Sequence, residues 1–371
     1  MSESNSRAEV IEVANLEKHP NADKLSILRI WGWTLVTGSE QWKEGAHGAF
    51  ITPDTLVPVD RPEFAFLADG KFGKVYTIDE RKYARIKVKK IRGVYSQGLL
   101  VPVSSDVPVG SDLWDTLELL RYDPSPENTT PVKNKNLLKD RSAYGKTPPG
   151  IVGLRYDLEA FNRYGEAVFK PGEIVVVTEK IHGANARFTY AEGRLWVGSR
   201  TTWKNEFIEV VDTPDVDLEN PPDELPEATK RLVMNNNEWW RAARRYRDQL
   251  EHLLSGLPGW VLYGEVFGQV QDLKYDRDFV DFAAFDLFMP NGQYLSWEPF
   301  QALMDHFQIP RVPHLYSGPY KEATIRQLAD GQSRLADHIR EGCVIRPLVE
   351  RCGGNVGRHV LKLVSNAYLE R

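Results

Sequence analysis

The stretch VVVTEKIHGANARF, residues 175–188, joins a β-branched apolar run to an abrupt polar turn. Three consecutive valines favour a buried strand, because β-branched side chains pack well on a pleated surface. The run ends in Thr178-Glu179-Lys180, and Gly183 follows shortly after it. Glycine adopts tight turns without steric cost, so the strand is predicted to deliver Lys180 into a turn. A lysine in such a place is a candidate functional residue.

The composition bounds the class of protein. With 371 residues, 42% of them hydrophobic, the chain can bury sizeable cores, and its length indicates about two domains. There is no run of 18 apolar residues, and the polar N-terminus lacks the core of a signal peptide. Its two cysteines, Cys343 and Cys352, form no CxxC pair, which argues against a zinc finger and a disulfide framework. We expect a cytoplasmic protein with no membrane partner, and the sequence indicates no protein partner.

The charge is segregated along the chain. The net charge is −5, yet residues 71–92 hold nine Lys/Arg against two acids, while residues 206–227 hold nine acids and no base. A protein of this kind can present a basic stripe to phosphates although its overall sign is negative. In residues 81–93, Arg85, Lys87 and Lys89 alternate with apolar residues. This alternation, with a period of two residues, predicts one half-buried strand with a cationic outer face.

Changes in composition divide the chain into three parts. Residues 1–120 contain short β-rich segments punctuated by Gly and Pro, which predict a small antiparallel barrel. Residues 121–150 are rich in Pro, Asn and Lys, as is typical of a linker. Residues 151–371 mix strand and helix patterns, including an amphipathic helix at 237–254. Neither GxGxxG nor GxxxxGK[ST] occurs, so no Rossmann site or P-loop is expected.

Two N-terminal segments, KHPNADKL (18–25) and KIRGVYSQGLL (90–100), resemble the tRNA-binding OB module of bacterial phenylalanyl-tRNA synthetase β chains. The resemblance covers roughly residues 9–103, and Tyr95 stands where that family often has Glu. It implies an OB barrel, a fold that binds nucleic acid through one sheet face with cations and stacking rings. The RNA-binding candidates are then Arg85, Lys87, Lys89 and Arg92.

Six later segments occur in an order that resembles the covalent nucleotidyltransferases, the superfamily of RNA ligases, DNA ligases and capping enzymes. They are Lys180-Ile-His-Gly183, Ser199-Arg200, Tyr263-Gly-Glu265, Phe282-Ala-Ala-Phe-Asp286, Glu341-Gly-Cys-Val-Ile345 and Leu361-Lys362. EKIHGAN is most similar to the RNA ligase 2 branch, since DNA ligases usually carry Asp at the position of His182. The resemblance implies an α+β nucleotidyltransferase domain of antiparallel sheets flanked by helices, following an all-β OB barrel.

The same resemblance implies a role for each motif residue. Lys180 would attack the α-phosphate of ATP, and Lys362 would contact that phosphate. Glu265 and Glu341 would hold a Mg²⁺ or Mn²⁺ ion, because hard cations prefer oxygen ligands. Phe282 would stack on adenine, and Arg200 would lie near the ribose and the RNA end. His182 and Asn185 would act on the phosphates.

The implied activity is ATP-dependent joining of an RNA 3′-hydroxyl to a 5′-phosphate, through a lysyl-AMP and an adenylated 5′ end. One feature departs from the family pattern, because HVLKLVS (359–365) has one lysine where RNA ligase 2 proteins have two. His359 or Arg346 could supply the missing charge. Two alternatives stay open: a non-catalytic tRNA- or RNA-binding protein with a degenerate transferase domain, and a DNA ligase.

Overall fold

The computed structural model describes residues 8–70, 74–122, 144–151, 155–212 and 229–371. The chain divides into two compact units: the first comprises residues 1–129, 157–180 and 313–371, and the second residues 130–156 and 181–312. The N-terminal module therefore groups with the strand that carries Lys180. The predicted division at 120 and 150 stays a prediction. Most of the predicted linker lies outside the described residues, as does much of the acidic stretch.

Short antiparallel strands form the N-terminal module, as its punctuated sequence predicts. The strands are β1 (Ala8–Glu12), β2 (Glu17–Lys18), β3 (Leu25–Ile30), β4 (Trp33–Gly38), β5 (His47–Ile51), β6 (Thr55–Pro58), β7 (Val75–Ile78), β8 (Arg81–Arg85), β9 (Lys89–Ile91), β10 (Val94–Ser96), β11 (Leu99–Pro102) and β12 (Leu120–Arg121), with a 3-10 turn at Ala65–Leu67. They form sheets of order β1-β5-β11, β12-β6-β8-β7, β2-β3-β4 and β10-β9. The core of the module contains Ala49, Ile51, Val57 and Phe64.

The two segments that resemble the tRNA-binding module contact each other. The backbone N–H of Asn21 donates to Nδ1 of His19 at 3.0 Å, which leaves Nε2 of the ring to donate to the carbonyl of Ile91 at 3.2 Å. The Asn21 amide also donates to the carbonyl of Arg92 at 3.0 Å. These hydrogen bonds join the 18–25 loop to the β9–β10 hairpin, so part of the resemblance rests on residues with a structural role.

The predicted strand at 81–93 is two strands, β8 and β9, with residues 86–88 between them. The alternation of faces is nevertheless confirmed, because Ala84, Ile86 and Val88 are buried while the cations between them are partly exposed. The break occurs where the chain leaves the β6-β8 pairing and enters the separate β9-β10 sheet.

The remaining strands form two larger sheets and two separate two-stranded sheets, and helices accompany them. The strands are β13 (Tyr144–Gly145), β14 (Glu159–Ala160), β15 (Ile174–Lys180), β16 (Ala184–Ala191), β17 (Arg194–Ser199), β18 (Trp203–Lys204), β19 (Phe207–Asp212), β20 (Thr229–Met234), β21 (Val261–Gly268), β22 (Val280–Phe288), β23 (His314–Pro319), β24 (Gly342–Pro347), β25 (Cys352–Gly353), β26 (Gly357–Arg358) and β27 (Leu361–Val364). The helices are α1 (Phe161–Val168), α2 (Glu238–Arg245), α3 (Arg247–Ser255), α4 (Trp297–His306), α5 (Glu322–Ala329) and α6 (Asn366–Glu370), with a 3-10 turn at Gly354–Val356.

A five-stranded sheet in the first unit, of order β14-β27-β24-β15-β23, contains the strand of the opening stretch. Side chains alternate along β15, so Val175 and Val177 lie on one face and Thr178 and Lys180 on the other. The first face packs in a core with Ile345 of β24 and with side chains of α1 and α5. Burial of that face places Lys180 on the opposite face of the sheet.

The second unit contains a six-stranded sheet of order β13-β18-β17-β16-β21-β22, against which α2 and α3 pack. The helix predicted at 237–254 is divided in two at Tyr246, whose backbone (φ −118°, ψ 24°) leaves the helical region. The Tyr246 hydroxyl donates to Asp281 of β22 at 2.5 Å, which ties the break to the sheet. In the described part of the chain, no helix is long and apolar enough to cross a membrane.

Candidate active site

Lys180 ends β15 beside a carboxylate. Its Nζ lies 2.6 Å from Oε1 of Glu341, and the two side chains are 24% and 12% exposed. The strand register explains this contact, because Lys180 is opposite Gly342 and Glu341 directly precedes that glycine. A side chain at Gly342 would meet the Leu363 carbonyl at 2.1 Å, so glycine allows β24 and β27 to approach here. A half-buried ammonium and carboxylate are therefore held together.

Glu179 anchors the same strand end from the other face. It is buried, and its carboxylate accepts hydrogen bonds from the Ser333 hydroxyl at 2.5 Å and the Arg334 backbone N–H at 2.8 Å. A buried carboxylate is stable when its oxygens are hydrogen-bonded in this way. No local pattern in the sequence indicates this anchor, since Glu179 and Ser333 are 154 residues apart in the chain.

Lys362 lies on the same face of the sheet as Lys180. It is opposite Val344 in β24, and Val344 is opposite Thr178 in β15, so alternation puts Lys362 on the Thr178 and Lys180 side. Burial lowers the pKa of Lys362 to about 8, with Asp157, 3.9 Å away, acting in the opposite direction. The charge of Lys180 also lowers the pKa of Lys362, because the two positive charges repel each other.

The two candidates for the missing second cation occupy different places. Arg346 follows Val344 by two residues in β24, so it lies on the Lys362 face, and it is 2% exposed. The His359 ring instead accepts from Arg351 at 2.9 Å and contacts the carbonyl of Gly353 at 3.2 Å. The fold thus brings Arg346, and not His359, to the face that carries Lys180 and Lys362.

Two motif residues of the second unit are paired in its sheet. Asn185 in β16 is opposite Glu265 in β21. Residues directly opposite each other on neighbouring antiparallel strands share a face. Ser199, the last residue of β17, is opposite Ala186, and Arg200 follows it at the Ser199–Thr202 turn. The sheet therefore brings an amide and a carboxylate together on one face, and the motif arginine follows the end of the neighbouring strand.

Phe282 lies on the other face of this sheet. It is opposite Val266, the neighbour of Glu265, and its ring is 0% exposed. The ring packs edge-on against Phe188 at 4.9 Å, and a side chain at Gly264 would meet it at 2.2 Å. A ring without an exposed face offers no surface to an adenine base. The stacking role of Phe282 stays a prediction, which this packing disfavours.

His182 is buried in the turn that follows Lys180, and a loop after β21 holds it. Its Nε2 lies 2.6 Å from Oδ1 of Asp272, and its backbone N–H donates to the Tyr275 hydroxyl at 2.6 Å. The Gln271 amide donates to the carbonyl of Gly183 at 3.4 Å. Sequence reasoning missed Asp272, because no motif spacing links it to His182, ninety residues away.

The cations of the N-terminal module differ in their partners. The Arg85 guanidinium bonds Asp54 at 2.7 and 2.9 Å and lies over the Tyr122 ring at 3.8 Å. Burial raises the pKa of Asp54, and Arg85 opposes that effect. Burial also lowers the pKa of Lys87 and of Lys89. Arg85 is therefore already paired with a carboxylate, which weakens its prediction as a phosphate contact.

A cavity of about 300 Å³ opens beside these cations within the N-terminal module. Its lining combines apolar side chains with charged ones, including Leu35, Phe66, Arg85, Lys87, Lys89 and Leu100. The Phe66 ring is 48% exposed. Arg92, the fourth RNA-binding candidate, is exposed and has a left-handed backbone with φ of 49°. The structure brings Arg85, Lys87 and Lys89 together at one cavity.

The donor groups fit a hard divalent cation. Among the described residues, Oδ1 of Asn185 is buried without a hydrogen-bond partner, and Asn185 is opposite Glu265. An unpaired buried carbonyl oxygen beside a carboxylate is an oxygen-donor arrangement suited to a cation or to its waters. No group of three or more His, Cys, Asp or Glu side chains in the described ranges could hold a metal ion. Glu265 and Glu341 stay predicted ligands.

Two family models match parts of the chain. A model of RNA ligases matches residues 173–364, more than half of the chain. The chain belongs to the RNA ligase family. A model of an OB-fold domain matches residues 7–103, so the N-terminal module of this RNA ligase is an OB-fold domain, as expected. The sheet-rich second part with few helices confirms the predicted fold class.

Solved structures of Naegleria gruberi RNA ligase are similar to this RNA ligase over nearly its whole length. A mutant with ATP and Mn has a TM-score of 0.73 and 22% identity, covering 98% of each chain. A mutant with AMP and Mn has a TM-score of 0.72 at the same identity and coverage. An apo mutant has a TM-score of 0.73, and the match covers 99% of this chain and 98% of the other. These likenesses establish the shared fold. No curated protein sequence matches the chain.

Proposed function

We propose that this RNA ligase uses ATP to join an RNA 3′-hydroxyl to a 5′-phosphate through a lysyl-AMP at Lys180. One observation carries the proposal: Lys180 ends its strand 2.6 Å from Glu341, on the sheet face that also bears Lys362. This arrangement provides a nucleophile, an acceptor next to its ammonium and a cation for a transferred phosphate. The complexes of the Naegleria enzyme with ATP or AMP and Mn support the choice of ATP and a divalent cation.

The proposed reaction has three balanced steps. The unprotonated Nζ of Lys180 attacks the α-phosphorus of ATP, a P–N bond forms, and pyrophosphate leaves. The 5′-phosphate of the RNA then displaces Lys180 and becomes adenylated. Finally the 3′-hydroxyl attacks that 5′-phosphorus, its proton passes to the solvent, and AMP leaves. A divalent cation held by Glu265 and Glu341 would neutralise phosphate charge when bound.

The residues of this chain have distinct proposed tasks in that scheme. Lys362, with a pKa of about 8, keeps its charge at neutral pH and contacts the α-phosphate. Arg346 adds a second positive charge on the same sheet face. Arg200 and Asn185 are proposed to contact the ribose side and the phosphates, and His182 to orient a phosphate.

The OB-fold domain is proposed to bind the RNA. Lys87 and Lys89 at the cavity and the exposed Arg92 provide the positive charge that a phosphate backbone requires. Their replacement by alanine should weaken RNA affinity and flatten its salt dependence, because fewer counterions are released. Unchanged affinity and salt slope in fluorescence-anisotropy titrations would remove this domain from the RNA interface.

Covalent labelling tests the proposal. The protein is incubated with α-labelled ATP and Mn²⁺, denatured and separated by electrophoresis. Wild-type protein should retain label and Lys180→Ala should retain none. Lys170→Ala is the matched control, because Lys170 is an exposed lysine before the same strand. An unlabelled wild-type protein, or equal labelling of Lys180→Ala, would establish that no lysyl-AMP forms at Lys180 and favour a non-catalytic RNA-binding protein.

Nick sealing separates the RNA ligase from the DNA ligase alternative. Two duplexes are compared that differ in the sugar carrying the 3′-hydroxyl, ribose in one and deoxyribose in the other. The proposal expects faster sealing of the ribose nick. Equal rates on both substrates would contradict the proposed preference for RNA.

A further inference from the structure

The loop of residues 269–279, between β21 and β22, folds back on the turn that follows the nucleophile. Asp272 contacts the ring of His182, Tyr275 accepts its backbone N–H, and Gln271 donates to the carbonyl of Gly183. These three contacts thus hold His182 and Gly183, two adjacent residues of the first motif. All of these residues belong to the second unit.

The loop is held in an unusual conformation. Tyr275 and Asp276 have φ values of 53° and 50°, a left-handed region that costs roughly 1 kcal/mol or more per non-glycine residue. Tyr275 is completely buried, edge-on to Phe267 at 5.1 Å. Arg277 donates to the Tyr275 carbonyl at 2.9 Å and pairs with Asp281 at 2.9 Å. Packing and hydrogen bonds therefore impose a shape that the chain alone would avoid.

The contact between His182 and Asp272 is asymmetric in exposure. The His182 side chain is 5% exposed, whereas that of Asp272 is 66% exposed. Water could solvate the carboxylate without this contact, but the buried ring nitrogen needs a protein partner. The contact therefore satisfies the buried ring nitrogen of His182, and it is not needed to solvate Asp272.

The chemistry of the pair determines where the imidazole proton resides. A carboxylate is only an acceptor, so Nε2 of His182 must carry the hydrogen that lies between the two groups. Nδ1 then carries the lone pair of the ring and acts as a hydrogen-bond acceptor. Since a second group sets both the tautomer and the ring plane of a working histidine, the loop is suited to orient His182.

We propose that Asp272 is a positioning residue of this ligase: it holds His182 in the Nε2–H form and orients the ring for the phosphate chemistry at the nucleophile turn. This inference rests on the proposed function. It adds a residue outside the six motifs, and it assigns a task to the loop between β21 and β22.

Pre-steady-state labelling with α-labelled ATP tests the inference. Asp272→Ala should lower the maximal rate of covalent AMP formation by about tenfold or more. The ATP concentration that gives half of the maximal rate should stay unchanged. Asp278→Ala is the matched control, an exposed aspartate of the same loop, and it should react like wild type. If Asp272→Ala reacts as fast as Asp278→Ala, the inference is wrong. If the wild-type protein acquires no label, the proposed function is wrong instead.

A double-mutant cycle shows whether Asp272 acts through His182. If it does, Asp272→Ala combined with His182→Ala should be no slower than His182→Ala alone. If the rate losses of the two single substitutions multiply in the double variant, Asp272 does not act through His182 and the positioning role is wrong. A second measurement does not depend on activity: ¹H–¹⁵N spectra of histidine-labelled protein, with the His182 signals assigned from His182→Ala. Protonated Nε2 in wild type and its loss in Asp272→Ala are expected, and unprotonated Nε2 in wild type would refute the proposal.

Discussion

Replacing Lys362 by methionine should stabilise the protein at neutral pH. Burial lowers the pKa of Lys362 from 10.5 to about 8, so the fold disfavours its ammonium form. The difference corresponds to roughly 3 kcal/mol at about 1.36 kcal/mol per pKa unit. The side chain is 17% exposed, so solvent screening removes little of this effect. Methionine has a similar length and no charge, and it should recover up to that amount.

The pH dependence gives the sign of the effect. At pH 7 Lys362 is protonated in the folded and in the unfolded protein, so the full desolvation cost is present. Between about pH 8 and pH 10.5 the folded protein binds fewer protons at this site than the unfolded chain, and stability rises with pH. The advantage of Lys362→Met should therefore be largest near pH 7 and shrink as the pH rises through 8.

Urea unfolding at pH 7 and pH 10 measures this difference. Lys170→Met is the control, because Lys170 is exposed and should show no such gain. If Lys362→Met is no more stable than wild type at pH 7, or if its advantage is the same at both pH values, Lys362 is not a desolvated cation. Labelling with ATP should meanwhile fall sharply in Lys362→Met, since the proposed function needs the charge that destabilises the fold.

Three further substitutions test other contacts. Glu341→Gln keeps the shape of the side chain but removes the charge 2.6 Å from Lys180, and it should lower covalent AMP formation at least about 100-fold in the labelling assay. Gly183→Ala would place a methyl group 2.2 Å from the Val266 carbonyl and should cost about 1–3 kcal/mol in urea unfolding, whereas Gly256→Ala, whose nearest contact is 3.7 Å, should be neutral. Asn21→Ala removes the hydrogen bond to the Arg92 carbonyl and should cost about 1 kcal/mol of stability; no loss would mean that the 18–25 loop is not held by it.

Local patterns in the sequence carry much of the fold. The valine run predicts β15, and the alternation around Arg85 predicts which side chains of residues 84–88 are buried, because period-two burial is a property of any half-buried strand. The interruption at residues 86–88 and the division of the 237–254 helix were not predictable. Both follow from pairing with distant strands, which a local pattern does not contain.

The sequence by itself determined the order of the motifs, and with it the proposed nucleophile Lys180 and the single lysine of the last motif, Lys362. Only the tertiary structure decided which side chains meet: Arg346 and not His359 on the Lys362 face, Phe282 in the core, and Asp272 on His182. The physical reason is that strand register sets the face and the neighbours of each side chain in a sheet, and that the packing of the 269–279 loop sets the contact of Asp272. A register joins residues that are tens to hundreds of positions apart, and no spacing in the sequence records it.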